Sequence, residues 1–176
     1  MIRRLALLCP LLLTACDSPP AAVATAATSA PAAAATPHTA NQLRMTLDGK
    51  VWQADRELFG AWHPPGTDRA VLMAGSLGPK DRHEQAFNLN LFGVSGPGRY
   101  VASGSTLSLK GLTSSAIQLA NLSEQRYLVG GPFGYEVEVE LLQAGSGVIE
   151  AKFHGRMSAS DGTVLDLKDG YFLYRE

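Results

Sequence analysis

The chain has 176 residues, 18% of them charged, with 15 Lys plus Arg against 16 Asp plus Glu. So even a balance leaves no basic surplus to neutralise a phosphate backbone, which excludes nucleic acid as a partner. With only two cysteines, Cys9 and Cys16, the chain has neither a disulfide framework nor a cysteine-built metal site.

Arg3 and Arg4 give the chain a positive start, and residues 5–13 follow as an apolar run of roughly nine residues interrupted by Pro10. That is the length and flank of a signal-peptide core, and it falls short of the about 20 apolar residues that cross a bilayer. Leu13-Thr14-Ala15-Cys16 then resembles the lipobox of bacterial lipoprotein precursors. The resemblance implies a signal peptide over 1–15, removed before Cys16, and acylation of Cys16 with palmitate-like chains, so that the membrane becomes a partner through the N-terminus. Several acyl chains, each buried methylene contributing about 0.8 kcal/mol, hold a protein to a bilayer permanently. Cys9 leaves with the signal peptide, and no thiol remains for nucleophilic or metal chemistry. Asp17 resembles the inner-membrane retention signal of enteric bacteria; sorting rules differ between bacterial groups, so the outer membrane stays open as the alternative.

Residues 16–41 comprise this cysteine and a linker of Ala, Pro, Thr and Ser without an aromatic residue. Pro19, Pro20, Pro31 and Pro37 interrupt every run of alanines long enough for a helix. Such a segment buries too little surface to offset its ordering entropy, and as a coil it averages roughly 30 Å end to end. His38 lies in this linker as a bystander.

Residues 42–176 hold all 18 glycines, spaced between short apolar stretches, the punctuation of an all-β domain. Strands are expected over 43–47 and 50–56, joined by Asp48-Gly49, a dipeptide suited to the positive φ of a tight hairpin. Further strands are expected over 69–77, 85–94, 99–102, 106–110, 116–121 and 127–130. Along 85–94, Phe87, Leu89 and Leu91 share one face while Asn88, Asn90 and Phe92 share the other. Over 135–143 the alternation puts Val137, Val139 and Leu141 in the core and Glu136, Glu138 and Glu140 in water. Strands over 147–157, 164–167 and 170–175 close the domain. About eight to ten strands in this length predict an antiparallel β-sandwich, with a small lipocalin-like β-barrel as the alternative.

Asp48-Gly49-Lys50-Val51-Trp52-Gln53-Ala54 near the start, with Phe153-His154-Gly155 and Asp169-Gly170-Tyr171-Phe172 near the end, resembles uncharacterised bacterial β-sandwich lipoproteins that open on a "DGxxW" hairpin. The resemblance implies a fold and no activity.

No catalytic constellation stands out. Gly93-Val94-Ser95-Gly96-Pro97 lacks the last glycine of a serine-hydrolase elbow, and Gly96-Pro97-Gly98 lacks the third glycine and the helix of a dinucleotide site. His63, His83 and His154 are far apart, and Asp161, Asp166 and Asp169 lack the ligand spacing of a calcium loop. No metal or other cofactor is expected. The expected function is a non-enzymatic binding or interaction module of the cell envelope, facing the periplasm, with an envelope protein as its partner. Architecture-level analogy suggests an inhibitor or immunity type. Its interaction loops are expected at Trp62 and His63 and at Phe133 and Tyr135, brought together at one end of the sandwich. A carrier of a small apolar ligand and an envelope enzyme assembled from distant residues are the alternatives.

Overall fold

Asp48 and Gly49 both take positive φ, 48° and 76°, the pair of values that lets two residues reverse a strand with the correct twist. Through them β1 (Gln42–Leu47) folds back on β2 (Lys50–Gln53). The computed structural model describes residues 40–63, 69–80, 84–108 and 115–176; the signal-peptide segment, almost all of the linker, Cys16 and His83 lie outside the described residues.

The remaining strands are β3 (Leu58–His63), β4 (Ala70–Leu77), β5 (Gln85–Phe92), β6 (Gly98–Gly104), β7 (Ala116–Asn121), β8 (Arg126–Gly130), β9 (Tyr135–Gly145), β10 (Val148–Ser158) and β11 (Val164–Arg175). They form two antiparallel sheets, one ordered β2-β1-β11-β10-β9-β6 and the other β3-β4-β5-β7-β8. The sheets stay open at their edges, so the fold is the sandwich and not the closed barrel.

The five-stranded sheet lies across the six-stranded one. At one end of β10, the Trp62 indole of β3 stands beside Gly145 in the β9–β10 turn. Midway, the Phe87 ring of β5 stacks on Phe153 at 5.6 Å between centroids. Just past the other end, Val129 of β8 bridges to Ala159. Moving along one strand of the first sheet thus crosses the second sheet from edge to edge, the crossed type of sheet packing. Phe87, Phe153 and Phe172 are fully buried in the core, together with Met45, Met73 and Ile117.

Phe153 fits because β11 bulges beside it. Asp169 takes a positive φ of 53°, register slips on both neighbouring pairings, and at Gly170 a Cβ would lie 2.3 Å from the Phe153 ring. The closing motif is therefore a packing device: Gly170 pairs with Phe153, and Phe172 sits with it in the core. In the opening motif, Trp52 packs on Phe87 at 5.9 Å and its Nε1 donates to the Gln85 side-chain oxygen at 3.0 Å.

The structure corrects four expectations. Eleven strands are present among the described residues, rather than eight to ten. The stretch read as a rigid loop holding Trp62 and His63 begins as the edge strand β3, since prolines at 64 and 65 bar a central position without preventing an edge strand before them. Residues 106–108 form a 3₁₀ turn in place of a strand. The two closing strands are one, β11, with the Asp169 bulge taken for a break.

Val139 is 1% exposed, whereas the Glu138 side chain is 65% exposed and faces His154. Urea unfolding should therefore show Val139→Asp losing at least about 3 kcal/mol, as an unpaired carboxylate enters the core, while Glu138→Gln stays within about 0.5 kcal/mol. Equal losses would mean that β9 is turned the other way.

Candidate functional site

The four residues expected to form an interaction cluster are dispersed. Trp62 is half-buried on β3 and lines a small recess of about 140 Å³ with Gly145, Tyr174 and Glu176. His63 is exposed at the end of the same strand. Phe133, 36% exposed, lies in the 3₁₀ turn Gly131–Phe133 after β8, at the opposite edge of the five-stranded sheet from β3. Tyr135 is a core residue, 6% exposed, whose hydroxyl donates to the Ser115 carbonyl at 3.2 Å and whose pKa burial raises. Trp62 sits by one end of β9 and Tyr135 at the other, roughly 33 Å apart along an 11-residue strand. The crossed packing causes the separation, because it places β3 and β8 over opposite ends of the six-stranded sheet.

The outward face of the six-stranded sheet is densely charged and internally paired. Arg156 donates to Glu136 at 2.8 Å, His154 Nε2 stands 3.7 Å from Glu138, and Lys168 stands 3.1 Å from Asp166. These exposed pairs contribute little stability and keep the face wet. Where β11 bulges, an open groove of about 640 Å³ is lined by Arg44, Lys152, Lys168 and Asp169 around Tyr171. The Arg44 guanidinium lies 5.6 Å over the Tyr171 ring, and the tyrosine hydroxyl donates to Glu150 at 2.8 Å. Burial first, and then the bond to the Glu150 carboxylate, push the Tyr171 pKa up to about 12.

The outward face of the five-stranded sheet is chemically the opposite. Gly60 and Gly75 point inward onto Tyr174 and Leu43, so alternation turns Phe59, Ala61 and His63 of β3 outward, with Leu72 and Ala74 of β4 beside them. Cross-strand pairing continues the face through Ala86, Asn88, Asn90 and Phe92 of β5, Ala116, Gln118 and Ala120 of β7, and Tyr127 of β8. None of these is Lys, Arg, Asp or Glu. Phe59 is 52% and Tyr127 40% exposed. Asn88, Asn90 and Gln118 are half-buried, and among the described residues their amides make no hydrogen bond to protein. Charge flanks these residues, as the paired Glu57 and Lys80, the paired Glu124 and Arg126, and Glu84, 8% exposed, which lines a recess of about 140 Å³ with Phe59, Ala74, Ala86 and Asn88. Alanine and amide side chains thus occupy the middle of the face, with the exposed aromatics Phe59 and Tyr127 on its two edge strands.

No family model, no curated protein and no solved structure matches this chain. Chemical reading of the surface thus rests on the geometry. Among the described residues no three of His, Cys, Asp and Glu come together as metal ligands, and no helix is long and apolar enough to cross a membrane. One apolar slot of about 310 Å³ opens at a corner between the sheets, lined by Leu47, Trp52, Leu119, Leu128, Val129 and Leu165. Its size is at the lower limit for small-molecule pockets.

The scarcity of charge on this face has a signal in the sequence. The strands β3, β4, β5 and β7, with the sequences LFGAWH, AVLMAGSL, QAFNLNLF and AIQLAN, contain no Lys, Arg, Asp or Glu. Every strand of the other sheet contains at least one.

Trp62, half-buried against a turn, lies between a core plug and a free anchor. In urea unfolding Trp62→Ala should lose about 2 kcal/mol, less than the about 3–5 kcal/mol of a fully buried aromatic. A loss at the upper value would make it core, and no loss would mean that it does not pack on Gly145.

Proposed function

We propose that this protein is a lipid-anchored binding module of the bacterial envelope, without enzymatic activity, that engages another macromolecule through the outward face of its five-stranded sheet. The observation that carries the contact surface is that the strands β3, β4, β5 and β7 contain no Lys, Arg, Asp or Glu, with Glu57 and Glu84 beside them, set against a six-stranded face crowded with ion pairs. Soluble proteins seldom leave a broad charge-free surface to water, and such a patch with a charged rim marks a contact site.

The anchor rests on the sequence alone. Acylated Cys16 holds the chain to the membrane, with Asp17 favouring the inner one, and the Ala- and Pro-rich tether lets the domain reach a partner roughly 30 Å away in the periplasm. An inhibitor or immunity type remains the nearest analogy in build. A filled core supports a contact function over that of a carrier, for Phe87 and Phe153 occupy the space between the sheets. The corner slot beside Trp52 favours a secondary reading in which one short apolar group is held there.

Two substitutions in the full chain test the two parts separately. Cys16→Ser should abolish sedimentation with membranes; retention at the wild-type level would end the anchor reading. In crosslinking capture from envelopes, Asn90→Lys should lose the captured species while changing stability by no more than about 1 kcal/mol, since it adds one charge at a solvent-reached position. Capture undiminished by Asn90→Lys would show that the contact lies elsewhere.

A further inference from the structure

Resting on the reading of the five-stranded sheet as a contact surface, we propose that the recess at the Glu84 end of that face receives an arginine side chain of the partner protein. Glu84 leads into β5 on the same outward alternation as Ala86 and Asn88, and its carbonyl accepts the backbone N–H of Leu122, just past β7, at 3.0 Å. The residue is 8% exposed and lines the recess. Burying a carboxylate is costly unless a cation or several donors meet it. Among the described residues no hydrogen bond and no ion pair reaches this one: the Lys80 ammonium attracts Glu84 from a distance but bonds Glu57 at 2.5 Å, and Arg56 makes no ion pair. No side-chain oxygen sealed from solvent lacks a partner among those residues, so the Glu84 carboxylate is one that an incoming group can reach.

The rest of the lining defines that group. Phe59 and Leu122, 52% and 49% exposed, stand beside the acid as apolar walls, and Asn88 adds an amide oxygen that bonds no other described residue. What enters needs an apolar stem as well as a positive end. A volume of about 140 Å³ is under half the lower limit of small-molecule pockets, about 300 Å³, so it suits one side chain of a larger partner. Lysine and arginine both combine stem and charge. Arginine fits better, because its flat guanidinium can lie on the Phe59 ring while separate N–H groups donate to Glu84 and to the Asn88 oxygen. Lysine's compact ammonium is more strongly hydrated and gives up more on entering.

Isotope-labelled full chain in mild detergent, followed by NMR, should be titrated with acetyl-Gly-Arg-Gly-amide and with the same peptide carrying citrulline, which keeps the shape and removes the charge. The arginine peptide should shift the backbone amides of Phe59, Ala86 and Asn88 and saturate in the millimolar range. Citrulline should bind at least about ten-fold more weakly, the size expected for one charged hydrogen bond, and Glu84→Gln should weaken the arginine peptide by a similar factor. The same substitution should leave the urea midpoint unchanged or raise it, since the free protein loses a buried charge that has no partner. No shift at these amides, equal binding of the two peptides, arginine binding that Glu84→Gln leaves intact, or a lowered urea midpoint overturns the proposal. The two readings fail separately: envelope capture lost on Asn90→Lys with no effect at Glu84 removes the recess and keeps the contact face. Charge-specific arginine binding with capture undiminished by Asn90→Lys keeps the recess and removes the wider face.

Discussion

The contact of Phe153 with Phe87 holds the two sheets together, and most particulars of the fold follow from it. The rings stack at 5.6 Å in the middle of the crossed sheets, with Trp52 closing on Phe87 from the first hairpin. Such pairs contribute about 0.5–1.5 kcal/mol beyond the burial of their area. The Phe153 ring needs room on β11, which explains why Gly170 faces it and why the backbone bulges at Asp169. That bulge in turn opens the groove around Tyr171 on the far side of the sheet. One aromatic contact therefore accounts for the bulge and, through it, the groove.

Crossing has a second consequence, for the surface. Strand alternation buries one side of each sheet and leaves the other free, and in a crossed sandwich the two outer faces are broad and separate. Nothing in the core dictates their chemistry. The six-stranded face carries alternating charge, as in the Glu136, Glu138 and Glu140 row opposite Arg156, His154 and Lys152. The other face carries alanine, amide and aromatic side chains at equivalent positions. Since both faces are equally compatible with the fold, their difference is best understood as selection for different surroundings.

Much of this was legible from local pattern. Asp48-Gly49 marked its hairpin, and the faces of β5, β9 and β10 follow from period-two alternation, because each strand is half-buried. Residues 58–63 were hidden by Pro64 and Pro65, which look like a loop signal but here follow an edge strand. The bulge at Asp169 resembled a turn because a positive φ at an Asp-Gly pair reads the same way in both settings. The aromatic cluster failed for a different reason: placing Trp62 near Phe133 and Tyr135 requires knowing which sheet ends coincide, and crossed packing leaves no local trace. Charge-free strands were readable one by one, yet they acquire meaning only when β3, β4, β5 and β7 prove to be neighbours in one sheet.

Hydroxyl-radical footprinting of the anchored protein in intact envelopes tests most directly whether the uncharged face is covered. Phe59 and Tyr127 on that face, and Val51 and Val101 on the other sheet, are all at least 40% exposed in the isolated chain. Comparing wild type with Asn90→Lys in the same envelopes, oxidation of Phe59 and Tyr127 should be low in the wild type and rise in the variant, while Val51 and Val101 stay constant. Equal oxidation of Phe59 and Tyr127 in the two proteins, at the rate their exposure dictates, would show that the face meets only water.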